Sequence, residues 1–175
     1  MNVINPAASR KGNQLAFQQL AYQNDIWRVD LAGKTLRQGA PRMIISAKGS
    51  NFRPQYSPDG KKIAFESSRS GYSEIWVCNS DASDCNAVTN LKGVAGAPRW
   101  SPDGKTLAFE YRPQAYSEIY VAELAGGAPR RVATFSHADN GGLVWSRDGK
   151  WIYFYSDPEG GRFQICRLGH VQDVP

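Results

Sequence analysis

A chain of 175 residues with 41% hydrophobic and 11% aromatic residues is long enough to bury a core and too apolar to stay disordered. The formal net charge of +5 resides in residues 1–50, where seven Lys/Arg face only Asp25 and Asp30; the other 125 residues carry 14 basic and 14 acidic groups. The basic residues are scattered, which reads as a solvated surface and argues against a specific nucleic-acid partner. No run approaches the ~18 apolar residues of a membrane-spanning helix. Met1 leads almost at once into repeat sequence, so neither membrane insertion nor a signal peptide is expected.

The first element begins at Asn5-Pro-Ala-Ala-Ser-Arg-Lys-Gly12. Three later segments align with it: Arg53-Pro-Gln-Tyr-Ser-Pro-Asp-Gly60, Ala97-Pro-Arg-Trp-Ser-Pro-Asp-Gly104 and Gly142-Leu-Val-Trp-Ser-Arg-Asp-Gly149. Their closing glycines lie 48, 44 and 45 residues apart. After each glycine comes an apolar run: 15–17, 63–65, 107–109 and 152–154. A polar loop follows, then a second run: 25–29, 74–78, 118–122 and 164–168. A fourth short run closes the first three units at 42–45, 86–89 and 130–133.

These runs predict strands A, B, C and D of an antiparallel sheet, joined between A and B by a tight turn. In Ser57-Pro58-Asp59-Gly60 the proline presets φ, and the glycine suits a position that needs φ > 0. No 3.6-residue periodicity extends over ten residues, so essentially no helix is expected. A period in the forties built from short strands is the mark of propeller blades. The expected fold class is all-β: one β-propeller domain of four antiparallel four-stranded blades at about 1–46, 50–90, 94–134 and 140–175. It is read as part of a larger propeller or as one completed by oligomerisation.

The pattern Tyr56-Ser-Pro-Asp-Gly-Lys-Lys-Ile-Ala-Phe65, followed by Glu74-Ile-Trp-Val77, resembles the WD-like repeat of TolB-type propellers. Similar repeats occur in propeller domains of prolyl-oligopeptidase-type peptidases and in sensor regions of CadC-type transcriptional regulators. The resemblance spans about the whole chain and is strongest in units two and three. Unit one has Arg10-Lys11 where Pro-Asp is expected, and unit four has Arg147 in place of the proline. Such a motif specifies fold better than function. The TolB resemblance implies a protein partner received at a channel mouth and an envelope-associated, periplasmic or otherwise extracytoplasmic setting.

Signs of catalysis are lacking in the sequence. His137 and His170 are the two histidines, and no nucleophile elbow, Cys-x-x-Cys, His-Glu-x-x-His, phosphate loop or dinucleotide fingerprint occurs. No catalytic residue, cofactor or metal site is therefore expected. The run Asn79–Asp84 is rich in oxygen donors of the kind that hold Ca²⁺, but it reads better as a polar hairpin tip. Cys78 and Cys85 flank that tip. They are either bridged, which would mean an oxidising compartment, or two small apolar residues kept reduced, and the spacing leaves both open. Cys166 aligns with Trp27, Trp76 and Tyr120 and is expected in the core.

In a propeller the B–C loops and D–A links share one face, and the tight A–B turns occupy the other. The loop-bearing face is expected to present Tyr22, Arg69, Tyr72, Arg112, Tyr116, His137, Asp157 and Arg162 to a partner. Tyr and Arg are enriched at interface centres, and loops on a rigid scaffold are where binding usually resides. The expected function is a noncatalytic module binding a protein or peptide, as the sensor or scaffold part of a larger envelope-associated protein. The alternative is a substrate-gating propeller segment of a prolyl-oligopeptidase-type peptidase. An unclosed ring would leave apolar blade faces in water, so a homodimer or higher oligomer through units one and four is expected.

Overall fold

In the computed structural model the described residues are 3–9, 14–19, 24–32, 37–133, 140–157 and 161–169, and all regular elements among them are strands. Tyr22 and His137 lie outside them. Blade one comprises β1 (Val3–Ala8), β2 (Gln14–Gln19), β3 (Asp25–Ala32), β4 (Arg37–Gln38) and β5 (Arg42–Ile45). Blade two comprises β6 (Asn51–Tyr56), β7 (Lys62–Ser67), β8 (Glu74–Asn79) and β9 (Asn86–Ala87). Blade three comprises β10 (Val94–Trp100), β11 (Thr106–Arg112), β12 (Glu118–Glu123) and β13 (Arg130–Ala133), and blade four β14 (Asn140–Trp145), β15 (Trp151–Ser156) and β16 (Gln164–Gly169). Every strand pairing within a blade is antiparallel between neighbours in sequence order, except that β5 joins β3 across β4, and an isolated parallel bridge links Ser73 to Val94 of the next blade.

Strand counts depart from four at both ends. The eight-residue β3 pairs with β5 over Ile26–Arg28, which leaves Leu31 and Ala32 to pair with β4. In blade four the outer edge of β16 has no strand partner among the described residues.

The A–B turn is built the same way three times. The Ser57, Ser101 and Ser146 hydroxyls donate to Asp59, Asp103 and Asp148 at 2.6, 2.6 and 2.5 Å. The same aspartates accept the backbone N–H of Lys61, Lys105 and Lys150, each at 3.1 Å. The serine oxygens accept the first N–H of strand B at 2.9–3.0 Å. Gly60, Gly104 and Gly149 close the turns at φ 74°, 72° and 73°, which an L side chain rarely adopts. The charge-assisted bonds hold all three carboxyls below the usual carboxylate range, with the serine hydroxyl as the main cause.

The core lies between blades. One apolar cluster joins Ala64, Ile75 and Val77 of blade two to Ala95, Trp100, Leu107 and Phe109 of blade three. A second joins Ala108, Ile119 and Val121 to Leu143, Ile152 and Phe154 of blade four. A third joins Ala16, Ile26 and Ile45 of blade one to Tyr56, Ile63, Phe65 and Cys78 of blade two. Small residues at one strand B position (Ala16, Ala64, Ala108) admit the next blade, and all three are fully buried. Burial on both faces explains why the apolar runs do not alternate. In blade four the same position is Tyr153, which stands 38% exposed.

Cys166 is half-buried against the cluster between blades three and four, rather than sealed in the core as expected. Its counterparts Trp27, Trp76 and Tyr120 are half-buried too. Cys78 and Cys85 are joined in a disulfide across the C–D hairpin, with their Cα atoms 4.1 Å apart.

Candidate binding surface

Each inner strand carries a bulge. Register shifts fall between Ile4 and Ala7, Phe52 and Gln55, Gly96 and Arg99, and Gly141 and Val144. At the last three, Arg53, Ala97 and Gly142 take left-handed φ values of 50°, 53° and 64°. Such bulges re-aim side chains and backbone N–H groups, here toward the neighbouring blade. Strand B answers with a carboxylate. Glu66 accepts from Arg53 at 3.0 Å and from the Ser73 hydroxyl at 2.8 Å. Glu110 accepts the backbone N–H of Gly142, one blade on, at 3.0 Å. Burial raises the Glu110 carboxyl, partly offset by that N–H and by Arg53 and Arg99.

The loop-bearing face is braced. The backbone N–H of Asn51 and Ala95 donate to Asn24 and Ser73 of the preceding blade at 2.9 and 2.8 Å, and the Asn140 amide donates to Ser117 at 2.6 Å. Glu74 accepts the N–H groups of Leu91 and Lys92 at 2.8 Å each, which fixes the link into blade three.

Against this frame the six described residues expected at a partner surface divide. Arg69 folds inward. Its guanidinium lies over the Phe65 and Trp76 rings at 5.1 and 4.8 Å and donates to Ser67 at 2.9 Å and Asn51 at 3.1 Å. Burial lowers its pKa, and its role is to clamp the B–C loop. Asp157 is likewise turned to its own loop, accepting from Gly161 at 2.9 and 2.8 Å and from Arg162 at 3.3 Å. Tyr72, Arg112, Tyr116 and the Arg162 side chain are exposed. Tyr72 and Tyr116 occupy the same loop position of adjacent blades and stand 52% and 43% exposed.

Sequence reasoning missed the opposite, turn-bearing face. There a cleft of about 180 Å³ opens at the ends of the inner strands, walled by Tyr56, Trp100 and Trp145 together with Pro58 and Pro102. Two further clefts, of about 270 and 350 Å³, open between blades two and three on the same side. The Trp100 indole donates to the Gln55 carbonyl at 3.0 Å and the Trp145 indole to the Arg99 carbonyl at 3.1 Å, so each tryptophan is latched to the blade before it. The available signal was the aromatic residue preceding each Ser-x-Asp-Gly.

Four sheets radiating from bulged inner strands agree with a family match: the profile of the TolB beta propeller domain fits residues 74–173. The chain belongs to the TolB beta-propeller domain family. TolB from Acinetobacter baumannii is 27% identical with a TM-score of 0.81, over 96% of this chain and 41% of that one. A TolB homologue from Agrobacterium tumefaciens is 26% identical with a TM-score of 0.81, over 96% of this chain and 58% of that one. This chain thus spans less than two thirds of either TolB structure. A puromycin-hydrolysing peptidase from Mycobacterium tuberculosis, 17% identical with a TM-score of 0.74 over 99% of this chain and 31% of that one, shares the propeller fold.

Proposed function

We propose that this TolB-type propeller is a noncatalytic module that receives a protein or peptide partner on its loop-bearing face. The observation carrying the reading is the pair Tyr72 and Tyr116, exposed at equivalent positions on loops whose neighbours Ser73 and Ser117 are tied to the next blade. Amphipathic rings held out by a braced frame offer contact area at small entropic cost. Arg112 and Arg162 extend the same surface with exposed guanidinium groups. The module is read as a sensor or scaffold part of a larger envelope-associated protein in a periplasmic or otherwise extracytoplasmic setting, which the Cys78–Cys85 bridge favours. Homodimerisation through blades one and four would cover the open apolar face. The reading as a gating propeller of a peptidase rests on fold likeness alone.

Photo-crosslinking in the native cell tests the surface. A benzophenone side chain at position 72 or 116 is expected to trap a partner, and one at Lys61, on the turn-bearing face, is not. Adducts from position 61 with none from 72 or 116 would refute the assignment.

A further inference from the structure

The cleft at the turn-bearing ends of the inner strands draws on all four blades, with Ala8, Gln55, Arg99 and Val144. Among the described residues its charged lining is Arg99 and Arg147, with no Asp or Glu. The turn aspartates Asp59 and Asp103 line the neighbouring cleft instead, and their carboxylates are engaged by their own turns.

Arg147 stands where blades two and three have Pro58 and Pro102. The turn does not need the arginine: Ser146, Asp148 and Gly149 close it with the bonds seen in the proline-containing turns. The Arg147 side chain is exposed at the rim, with no ion pair or hydrogen bond among the described residues. Arg99, half-buried on the cleft wall, donates to the carbonyl of its own neighbour Pro98 at 2.9 Å. A guanidinium has five N–H donors, so most of its capacity is unspent there. Burial lowers the Arg99 pKa, Glu110 opposes this from the loop side and Arg53 adds to it, while Glu110 directs Oε1 to the Gly142 N–H. Arg99 and Arg147 therefore both line one small cleft whose other walls are indole, phenol and proline rings.

We propose that this cleft is a carboxylate-binding site for an extended peptide. Arg99 and Arg147 share the acidic end or side chain, and Trp100, Trp145 and the two prolines flank the apolar part beside it. Planar guanidinium forks match carboxylate geometry, and ring walls exclude water from the pair. At about 180 Å³ the cleft is smaller than the ~300–1,000 Å³ of drug-sized ligand pockets, so it takes one or two residues rather than a folded surface. It lies on the face opposite Tyr72 and Tyr116, so it stands or falls independently of the partner surface proposed above.

The test uses the whole chain and three probes: N-acetyl-Pro-Phe as the free acid, the same dipeptide as its C-terminal amide, and inorganic phosphate. Binding is read from the indole N–H resonances of the five tryptophans and by calorimetry. The free acid is expected to shift the Trp100 and Trp145 resonances, with the amide at least about tenfold weaker, the scale of one charge-assisted hydrogen-bond set. Arg147→Pro installs the turn of the sibling blades and should weaken the acid about five- to tenfold at unchanged melting temperature; Arg99→Gln should weaken it at least as much. Acid and amide binding within twofold of each other, or no loss in Arg147→Pro, would overturn the proposal. Phosphate binding more tightly than the acid, with the same sensitivity to Arg147→Pro, would overturn the peptide assignment in favour of a free inorganic anion.

Discussion

Phe109→Ala tests the view that stability resides between blades. Phe109 is fully buried in the cluster formed by blades two and three, touching neither solvent nor a polar partner. Truncation removes about 100 Å² of buried apolar surface, worth ~2.5 kcal/mol at ~25 cal/mol per Å². Partial collapse leaves a cavity that adds ~1–2 kcal/mol, for a total of about 3–5 kcal/mol. A chain of this size should then lose about 10–15 °C in melting temperature. Urea unfolding followed by tryptophan fluorescence gives the free energy directly, and Tyr116→Ala, at an exposed position, is the matched control with a change within ~0.5 kcal/mol. A loss below about 1 kcal/mol for Phe109→Ala, or a larger one for Tyr116→Ala, would refute the blade-to-blade core.

Three further outcomes are expected. The depressed turn aspartates contribute stability that is complete above about pH 4 and lost as pH falls through their lower folded-state values, so the urea midpoint should drop less steeply below pH 4 in a triple Asp59→Asn, Asp103→Asn, Asp148→Asn variant. Cys78→Ala with Cys85→Ala should cost about 2–2.5 kcal/mol, since the bridge closes a short loop, and thiol counting on the denatured, unreduced parent should find Cys166 alone. Gly96→Ala should cost about 1–3 kcal/mol by urea titration, because its Cβ would collide with Glu66 Oε2 and push that carboxylate off Arg53 and Ser73.

The hairpins were legible because their information is local. Ser57, Asp59, Gly60 and Lys62 satisfy one another within six residues, and the period announces how often this recurs. Arg147 weakened the proline signal in unit four without harming the turn, since the hydroxyl, the carboxylate and the left-handed glycine carry the geometry. What stayed hidden depends on two blades meeting. A left-handed Arg53 or Ala97 breaks the usual residue preference and is held by bulge pairing and by contacts with the neighbouring blade. Arg69 was read as a surface cation because no pattern announces that Phe65, Trp76 and Asn51, scattered over 25 residues, converge on it. The cleft around Arg99 escaped for the same reason, its walls being separated by a full repeat.

One isoleucine series carries a thermodynamic consequence. Ile26, Ile75 and Ile119 occupy one strand C position and are each 0% exposed, whereas Ile165 at that position is 86% exposed. Each blade is thus completed by its successor, and the free energy of the array is a sum of unit terms and couplings between nearest neighbours. Among the described residues, blades two and three are packed on both sides and blade four on one. Among the described residues β16 is the least covered strand, so amide protection should rise from blade four toward the Ile63–Phe109 region rather than being uniform across the sheets. In such an array a ligand that bridges inner strands of several blades, as one seated in the proposed cleft would, acts as an added coupling and shifts the whole protection gradient at once.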